Sequence, residues 1–262
     1  MEYEENIHPT AIIHPNSKIH STVKIGPYTS IGEFVVLGEG TEVGNFVTIT
    51  GHTKIGQFNK IYHSSSLGER PQDMKFANEI TYLEIGNRNT IREFCTFNVG
   101  TIQDKGITKI GDDNWIMAYV HIAHDCHVGN NTIFANNASL AGHVDVDDYV
   151  ILGGFTGVHQ FCKIGSHSIT CGGAMISKDV PPYIRTTSGW NPTPSGLNLE
   201  GLKRRGFSTQ SIATLKMAYK IIYRDGNTID EAKILLIDLA KTSPEVNLFI
   251  NFIDKSNRGL IR

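Results

Sequence analysis

The densest run of chemically versatile side chains in this 262-residue sequence is His121-Ile-Ala-His124-Asp125-Cys126-His127. Imidazoles titrate near neutral pH, so such a cluster suits proton transfer or the binding of a metal ion. A bland reading stands beside these, because a regular polar face must carry polar residues somewhere. What decides between them is which other residues share the cluster's surroundings, and that depends on how the chain repeats.

Counting in sixes from Ile7 gives Ile13, Ile19, Ile25, Ile31, Leu37, Val43, Ile49, Ile55, Ile61 and Leu67, eleven aliphatic positions in a row. At 40% hydrophobic composition such a run arises by chance roughly 4 times in 100,000 per starting frame. The ruler returns in the same register at Ile85, Ile91 and Phe97. Displaced by one residue, it then runs from Ile110 through Ile116, Ile122, Val128, Phe134, Leu140, Val146, Leu152, Val158 and Ile164 to Ile176, broken only by Thr170. Helices repeat at 3.6 residues and strands at 2, so one inward aliphatic every six implies short strands joined by turns and wound as a solenoid. With three strands per coil, residues 18 apart stack at about 4.8 Å, the strand spacing. Glycine follows many ruler positions, as at Gly26, Gly38, Gly111 and Gly129, and is expected to supply the positive φ of the corners. The interruptions near 68–84 and 98–109 are expected to leave the coil as loops, where solenoids often carry function.

Placed on that coil, His124, Gly142 and Gln160 fall in one column, with Asp125 and His143 in the next. Zinc binding by His121, His124 and His127 is disfavoured, since residues three apart in a strand point to opposite faces; His127 is expected off the site. Base catalysis fits better: His124 can abstract a proton, and Asp125 can orient the ring and stabilise the imidazolium. Gly142 has no side chain to block its amide, which can then serve as an oxyanion donor. Cys95, Cys126, Cys162 and Cys171 form no CxxC pair and read as reduced, structural thiols of a cytoplasmic protein.

The repeat ends after Ile176, and the proline-rich DVPPY and SGWNPTPSG segments mark an irregular connection. The division expected is a β-solenoid over 1–196 and a helical unit over 197–262. Ser208 caps one helix, Thr228 and Glu231 make a capping box for the next, and Ser243-Pro244 opens a third. Residues 198–262 carry 11 Lys and Arg against 7 Asp and Glu, whereas the preceding residues carry 13 against 19. The overall charge of −2 therefore hides an acidic solenoid and a basic tail, and neither is the profile of a nucleic-acid-coating protein. No apolar stretch is long enough to span a membrane, and the acidic opening MEYEENIHPT lacks the features of a signal peptide.

The six-residue repeat resembles that of the hexapeptide-repeat acyltransferases, which implies a mainly β fold, a left-handed parallel β-helix, and a homotrimer. GHTKIG, Gln72-Asp73, HIAHDC, NNASLAGHV, VHQFC, DVPPY, NLEGLKRRGF and RGLIR further resemble the UDP-N-acetylglucosamine O-acyltransferases of lipid A biosynthesis over essentially the whole chain. That resemblance implies transfer of an (R)-3-hydroxyacyl group from acyl carrier protein to the glucosamine 3-hydroxyl of UDP-N-acetylglucosamine. It implies no cofactor of the enzyme's own, since 4′-phosphopantetheine arrives on the carrier protein, and no metal. His124 is then the base, Asp125 its orienting partner and Gly142 the oxyanion donor. Gln72, Asp73 and Lys75 would hold sugar and acyl groups across a subunit boundary, while His121, His143 and Gln160 would touch sugar and phosphate. Asn198, Glu200, Arg204 and Arg205 would form the nucleotide end. Gly172 and Gly173 would leave the acyl groove open for a long chain. The basic tail suits an acidic carrier protein. Rival readings are a UDP-sugar N-acyltransferase, a zinc-dependent γ-type carbonic anhydrase and a purely structural β-helix.

Overall fold

The computed structural model describes residues 6–262; residues 1–5, half of the acidic opening, lie outside the described residues. Parallel sheets of ten, eight and seven strands form the three walls of a triangular solenoid. Most strands are only two residues long, and within the repeat the second residue of each is the ruler position, as in Val36–Leu37 and Trp115–Ile116. From Ile25 to Ile176 the ruler residues are buried, so the period of six is the period of inward-facing side chains. Even Thr170, the break in the ruler, is buried, and its hydroxyl bonds that of Thr156 at 2.8 Å. Cys95, Cys126 and Cys162 are buried among these residues, and all four cysteines are free.

Strand partners are 18 residues apart, as in Ile13↔Ile31 and Ile122↔Leu140. Across the first excursion they are 30 apart (Leu67↔Phe97) and across the second 25 apart (Phe97↔Ile122). The first excursion thus inserts 12 residues, two whole hexapeptides, and preserves the register. The second inserts 7 and causes the one-residue shift seen in the sequence.

The corners correct the expectation placed on glycine. Positive φ falls on non-glycine residues three places after the ruler, among them Tyr28, Phe46, Phe94, Tyr119, Asp125, His143, Tyr149 and Phe161. This conformation costs an L-residue roughly 1–2 kcal/mol. Two features offset it. The corner N–H donates to the preceding coil, as Phe46 N does to Pro27 O at 3.0 Å. Aromatic corners also stack between coils, Phe94 on Tyr119 at 4.9 Å and Tyr149 on His167 at 4.8 Å. The glycine just after the ruler serves close approach instead: a Cβ on Gly38 would stand 2.6 Å from the Gly56 carbonyl oxygen of the next coil.

Beyond the solenoid, Ile184–Thr186 pairs antiparallel with Pro194–Leu197. Helices α1 (Leu199–Arg204), α2 (Thr209–Tyr223), α3 (Ile229–Ala240) and α4 (Asn247–Lys255) follow, with a 3-10 turn over Pro244–Val246. Ser208 caps α2, and Thr228 with Glu231 forms a complete capping box on α3. Ser243 makes no side-chain cap; the 3-10 turn it opens leads directly into α4. Asp179 of DVPPY joins the two parts. It is fully buried and accepts from Lys163 N at 2.8 Å, Ser256 Oγ at 2.6 Å and Arg258 N at 3.3 Å. Ile261 N of RGLIR donates to its carbonyl at 3.0 Å.

Candidate active site

His124 and Asp125 occupy a corner between a ten-sheet strand, His121–Ile122, and an eight-sheet strand, His127–Val128. Sequence neighbours in extended chain point apart, but Asp125 has φ +59°, which turns its carboxylate back toward the preceding ring. His124 Nδ1 lies 2.9 Å from Asp125 Oδ2. The carboxylate then holds the proton on Nδ1 and leaves Nε2 free to accept one. Thr101 secures the carboxylate: its N–H lies 2.9 and 3.0 Å from the two oxygens, and its hydroxyl donates to Oδ2 at 2.6 Å. The Asp125 N–H in turn donates to Thr108 Oγ1 at 2.8 Å. Burial would push the Asp125 carboxyl up, but the hydrogen bonds from His124 and Thr101 outweigh it and hold it below the usual carboxylate range. It stands ionised beneath the imidazole, where it can orient the ring.

One coil on, Gly142 lies directly against the ring. A Cβ there would stand 2.5 Å from His124 Cε1 and 2.7 Å from Nε2. The Gly142 N–H makes no hydrogen bond among the described residues. The base candidate's ring thus packs against a residue whose amide has no partner among the described residues. His143 donates its backbone N–H to His124 O at 3.0 Å, and its ring meets His124 edge-on, centroids 5.0 Å apart. Phe161 stacks on the other side of that ring at 4.4 Å. Asp104 Oδ2 lies 3.0 Å from His143 Nδ1, so a second His–Asp pair adjoins the first.

Thr101, Thr108 and Asp104 are absent from the sequence-derived set. Their only signal is the excursion after Asn98, which interrupts the ruler one coil before the cluster; no residue spacing singles them out. His121 is part-buried, with Nδ1 2.8 Å from Thr96 Oγ1, and burial holds its ring below the usual imidazole range. His127 lies off the site on the eight-stranded sheet, 3.3 Å from Asp145 Oδ1. The triplet His121, His124 and His127 is thus split. His124, Asp125 and His143 instead bring ligand-capable atoms within 4.8 Å of one another. Their hydrogen bonds, however, aim Asp125 at Thr101 and at the imidazole N–H, the pattern of an oriented base.

The remaining candidates occupy all three corners of the coil. Gln72, Asp73 and Lys75 lie in the excursion between Ser66–Glu69 and Tyr82–Ile85, at the same corner as His124 and two coils earlier. Lys75 N donates to Asp73 Oδ1 at 2.9 Å, and no hydrogen bond or ion pair joins these residues to the histidines among the described residues. Gln160 is exposed on the coil after Gly142. Gly172 and Gly173 lie at a different corner, entering the ten-stranded sheet at Ala174. At Gly172 the nearest atom to a Cβ would be Gly154 O at 3.4 Å; Gly173 has φ +69° and open space above it.

The third corner carries NLEGLKRR. Asn198 caps α1, accepting from Gly201 N at 3.2 Å, and donates to His167 O at 2.9 Å, so its amide is engaged within the chain. Arg205 donates to Tyr149 O at 2.9 Å and lies over that ring. Glu200 and Lys203 form an exposed pair at 2.9 Å, and Arg204 is exposed. Arg205 and His167 also approach to 3.4 Å.

Residues 16–51 and 107–142 match the bacterial transferase hexapeptide repeat, and residues 179–261 match the second domain of UDP-N-acetylglucosamine O-acyltransferase. An acyl-(acyl-carrier-protein)–UDP-N-acetylglucosamine O-acyltransferase of Janthinobacterium is 55% identical over 260 residues, covering 98% of this chain and 99% of that protein. The chain belongs to the UDP-N-acetylglucosamine O-acyltransferase family. Its counterpart in Thiobacillus denitrificans is 60% identical over 203 residues, 78% of each chain. The crystal structure of the Francisella novicida UDP-N-acetylglucosamine acyltransferase superposes with a TM-score of 0.96 at 41% identity, covering 98% of this chain and 94% of that one. The solenoid is therefore the left-handed β-helix of this acyltransferase family. Among the described residues no helix is long and apolar enough to cross a membrane.

Proposed function

We propose that this O-acyltransferase moves an (R)-3-hydroxyacyl group from acyl carrier protein to the 3-hydroxyl of UDP-N-acetylglucosamine, with His124 as general base, in the cytoplasm. The observation that carries the mechanism is the packing of His124 Nε2 against Gly142, whose N–H is unpaired among the described residues, with the Asp125 carboxylate on the other ring nitrogen. Nε2 takes the proton of the sugar hydroxyl as its oxygen bonds to the thioester carbonyl carbon. The carbonyl oxygen becomes an oxyanion facing the Gly142 N–H, and Asp125 stabilises the imidazolium. The carbonyl re-forms, the C–S bond breaks, and the imidazolium returns its proton to the departing thiolate. Ester and thiol are the products, no side-chain nucleophile is consumed, and no metal or cofactor of the protein's own is used.

The three-corner distribution supports a homotrimer. His124, Gly172 and Arg204 face different sides of one prism, so a single substrate meets all three when corners of neighbouring copies come together. Gln72, Asp73 and Lys75, at the same corner as His124 and two coils earlier, would reach sugar and acyl groups across that boundary; His121, His143 and Gln160 would line the sugar and phosphate. Asn198, Glu200, Arg204 and Arg205 mark the nucleotide end.

The test is an assay with UDP-N-acetylglucosamine and a ladder of 3-hydroxyacyl carrier proteins. His124→Ala should lower turnover by about 10²–10⁴-fold with the fold intact. Wild-type turnover by that variant would remove His124 as the base, and stoichiometric zinc required for activity would favour the metal reading of His124, Asp125 and His143.

A further inference from the structure

The second His–Asp pair is held by the same excursion that secures the first. Thr101 bonds the Asp125 carboxylate, and Asp104 of the same turn reaches His143 Nδ1 at 3.0 Å. We propose that Asp104 is a positioning residue: it holds the proton on His143 Nδ1 and so presents His143 Nε2 as an acceptor, which selects a hydroxyl or amide N–H of the acceptor sugar over the phosphates. The assignment rests on the UDP-N-acetylglucosamine acceptor proposed above.

Packing alone cannot orient this ring. Phe161 stacks on it with the planes 9° apart, and the ring stands at 89° to that of His124. These contacts fix the plane, yet a half-turn about the terminal side-chain torsion keeps that plane and exchanges the places of nitrogen and carbon. A carboxylate removes the ambiguity. It only accepts, so the nitrogen facing it carries a proton, and the other nitrogen of the neutral ring is an acceptor. Asp125 cannot take this part. Its Oδ2 stands 3.9 Å from His143 Nδ1, beyond hydrogen-bond reach, and is already engaged by His124 Nδ1 and the Thr101 hydroxyl. His143 Nε2 has no hydrogen-bond partner among the described residues.

The turn makes Asp104 a fixed point. Thr101 O accepts from Asp104 N at 3.2 Å and from Gly106 N at 3.1 Å. Tyr82 closes the base of the turn, accepting from Gly100 N at 3.1 Å and donating to Gly106 O at 2.9 Å. With His143 N bonded to His124 O, the contacts run in a closed circuit through both pairs. An acceptor at Nε2 is matched by O–H and N–H groups, which a sugar ring and its acetamide supply. Phosphate oxygens are themselves acceptors and leave it unmatched.

Titration calorimetry of the full chain separates sugar from phosphate. Asp104→Ala should weaken UDP-N-acetylglucosamine about tenfold and leave uridine diphosphate, which lacks the sugar, unchanged. Asp104→Asn, whose amide oxygen still accepts from Nδ1, should recover most of the loss. Equal weakening of both ligands would assign His143 to the phosphates and overturn the proposal, as would no weakening of either. The His143 tautomer, read by NMR with nitrogen-labelled histidine, requires no ligand. The Nδ1–H form is expected in the wild type, with a shift toward Nε2–H in Asp104→Ala. An Nε2–H ring in the wild type would overturn the role of Asp104 even with acyl transfer established. The expected tautomers without UDP-N-acetylglucosamine binding would uphold the placement by Asp104 and strike the acceptor proposed above.

Discussion

The Cε1–Nε2 edge of His124 occupies the space in which a side chain on Gly142 would begin, 2.5 and 2.7 Å from the missing Cβ. This contact, made across one turn of the solenoid, fixes the proposed base and the proposed oxyanion donor relative to each other. Gly142→Ala must displace the imidazole, because the backbone at residue 142 is pinned by Phe161 N, which donates to its carbonyl at 3.2 Å. Turnover is expected to fall at least 10²-fold, by analogy with losing an oxyanion donor, while circular dichroism and melting stay close to wild type. A variant with normal kcat would show that the contact is not needed for catalysis.

Thr101→Val removes the hydroxyl donor to Asp125 and leaves the backbone donor. The carboxyl then moves up toward its ordinary value, so it is lost as an anion at a higher pH than in the wild type. The acid limb of the pH–rate profile should shift to higher pH, with an activity loss of about tenfold that is larger in acid than at neutrality. An unshifted profile would mean that Thr101 serves only to anchor its loop.

Gly172→Met fills the space left open at the corner entering the ten-stranded sheet. Gly172 lies about 13 Å along the solenoid axis from the His124 level, at one strand spacing per coil. The variant should lose kcat/KM for the longest 3-hydroxyacyl donors and retain or gain it for shorter ones. Equal loss across the ladder of donors would point to damaged folding instead.

His167 links pH to the docking of the helical domain. Burial and the neighbouring Arg205 charge hold its ring down to about 4. In the unfolded chain the ring takes up its proton near pH 6.5, so the folded state binds fewer protons between these values. The stabilisation is complete above about pH 6.5 and is lost as the pH falls toward 4. Melting temperature should fall over that interval, and His167→Gln should flatten the dependence. A pH-independent melt would count against an uncharged His167.

The ruler was readable because burial has a period, and a period survives in sequence without knowledge of contacts. Counting modulo the coil likewise put Gly142 beside His124, since stacked coils turn sequence distance into spatial adjacency. The glycines were misassigned because two demands, positive φ and close approach, both admit glycine; here aromatic stacking and inter-coil hydrogen bonds carry the first, and glycine answers the second. Thr101 and Asp104 lay beyond such counting. They reach Asp125 and His143 from an excursion outside the repeat, where position follows from the loop's own path. Arg205 shows the converse: its motif was visible, but its engagement with Tyr149 depends on how two differently built domains meet.

The two excursions show how this chain can change length. Each coil inherits its phase from the one before, so a residue deleted between Val128 and Leu140 would rotate Gly142 out from under His124 and change which side chains face inward above it. The same deletion inside the segment 99–106 would be absorbed before the strands resume at Ile107. Insertions and deletions at these excursions can therefore leave His124 and Gly142 in frame, provided that the second keeps Thr101 on Asp125.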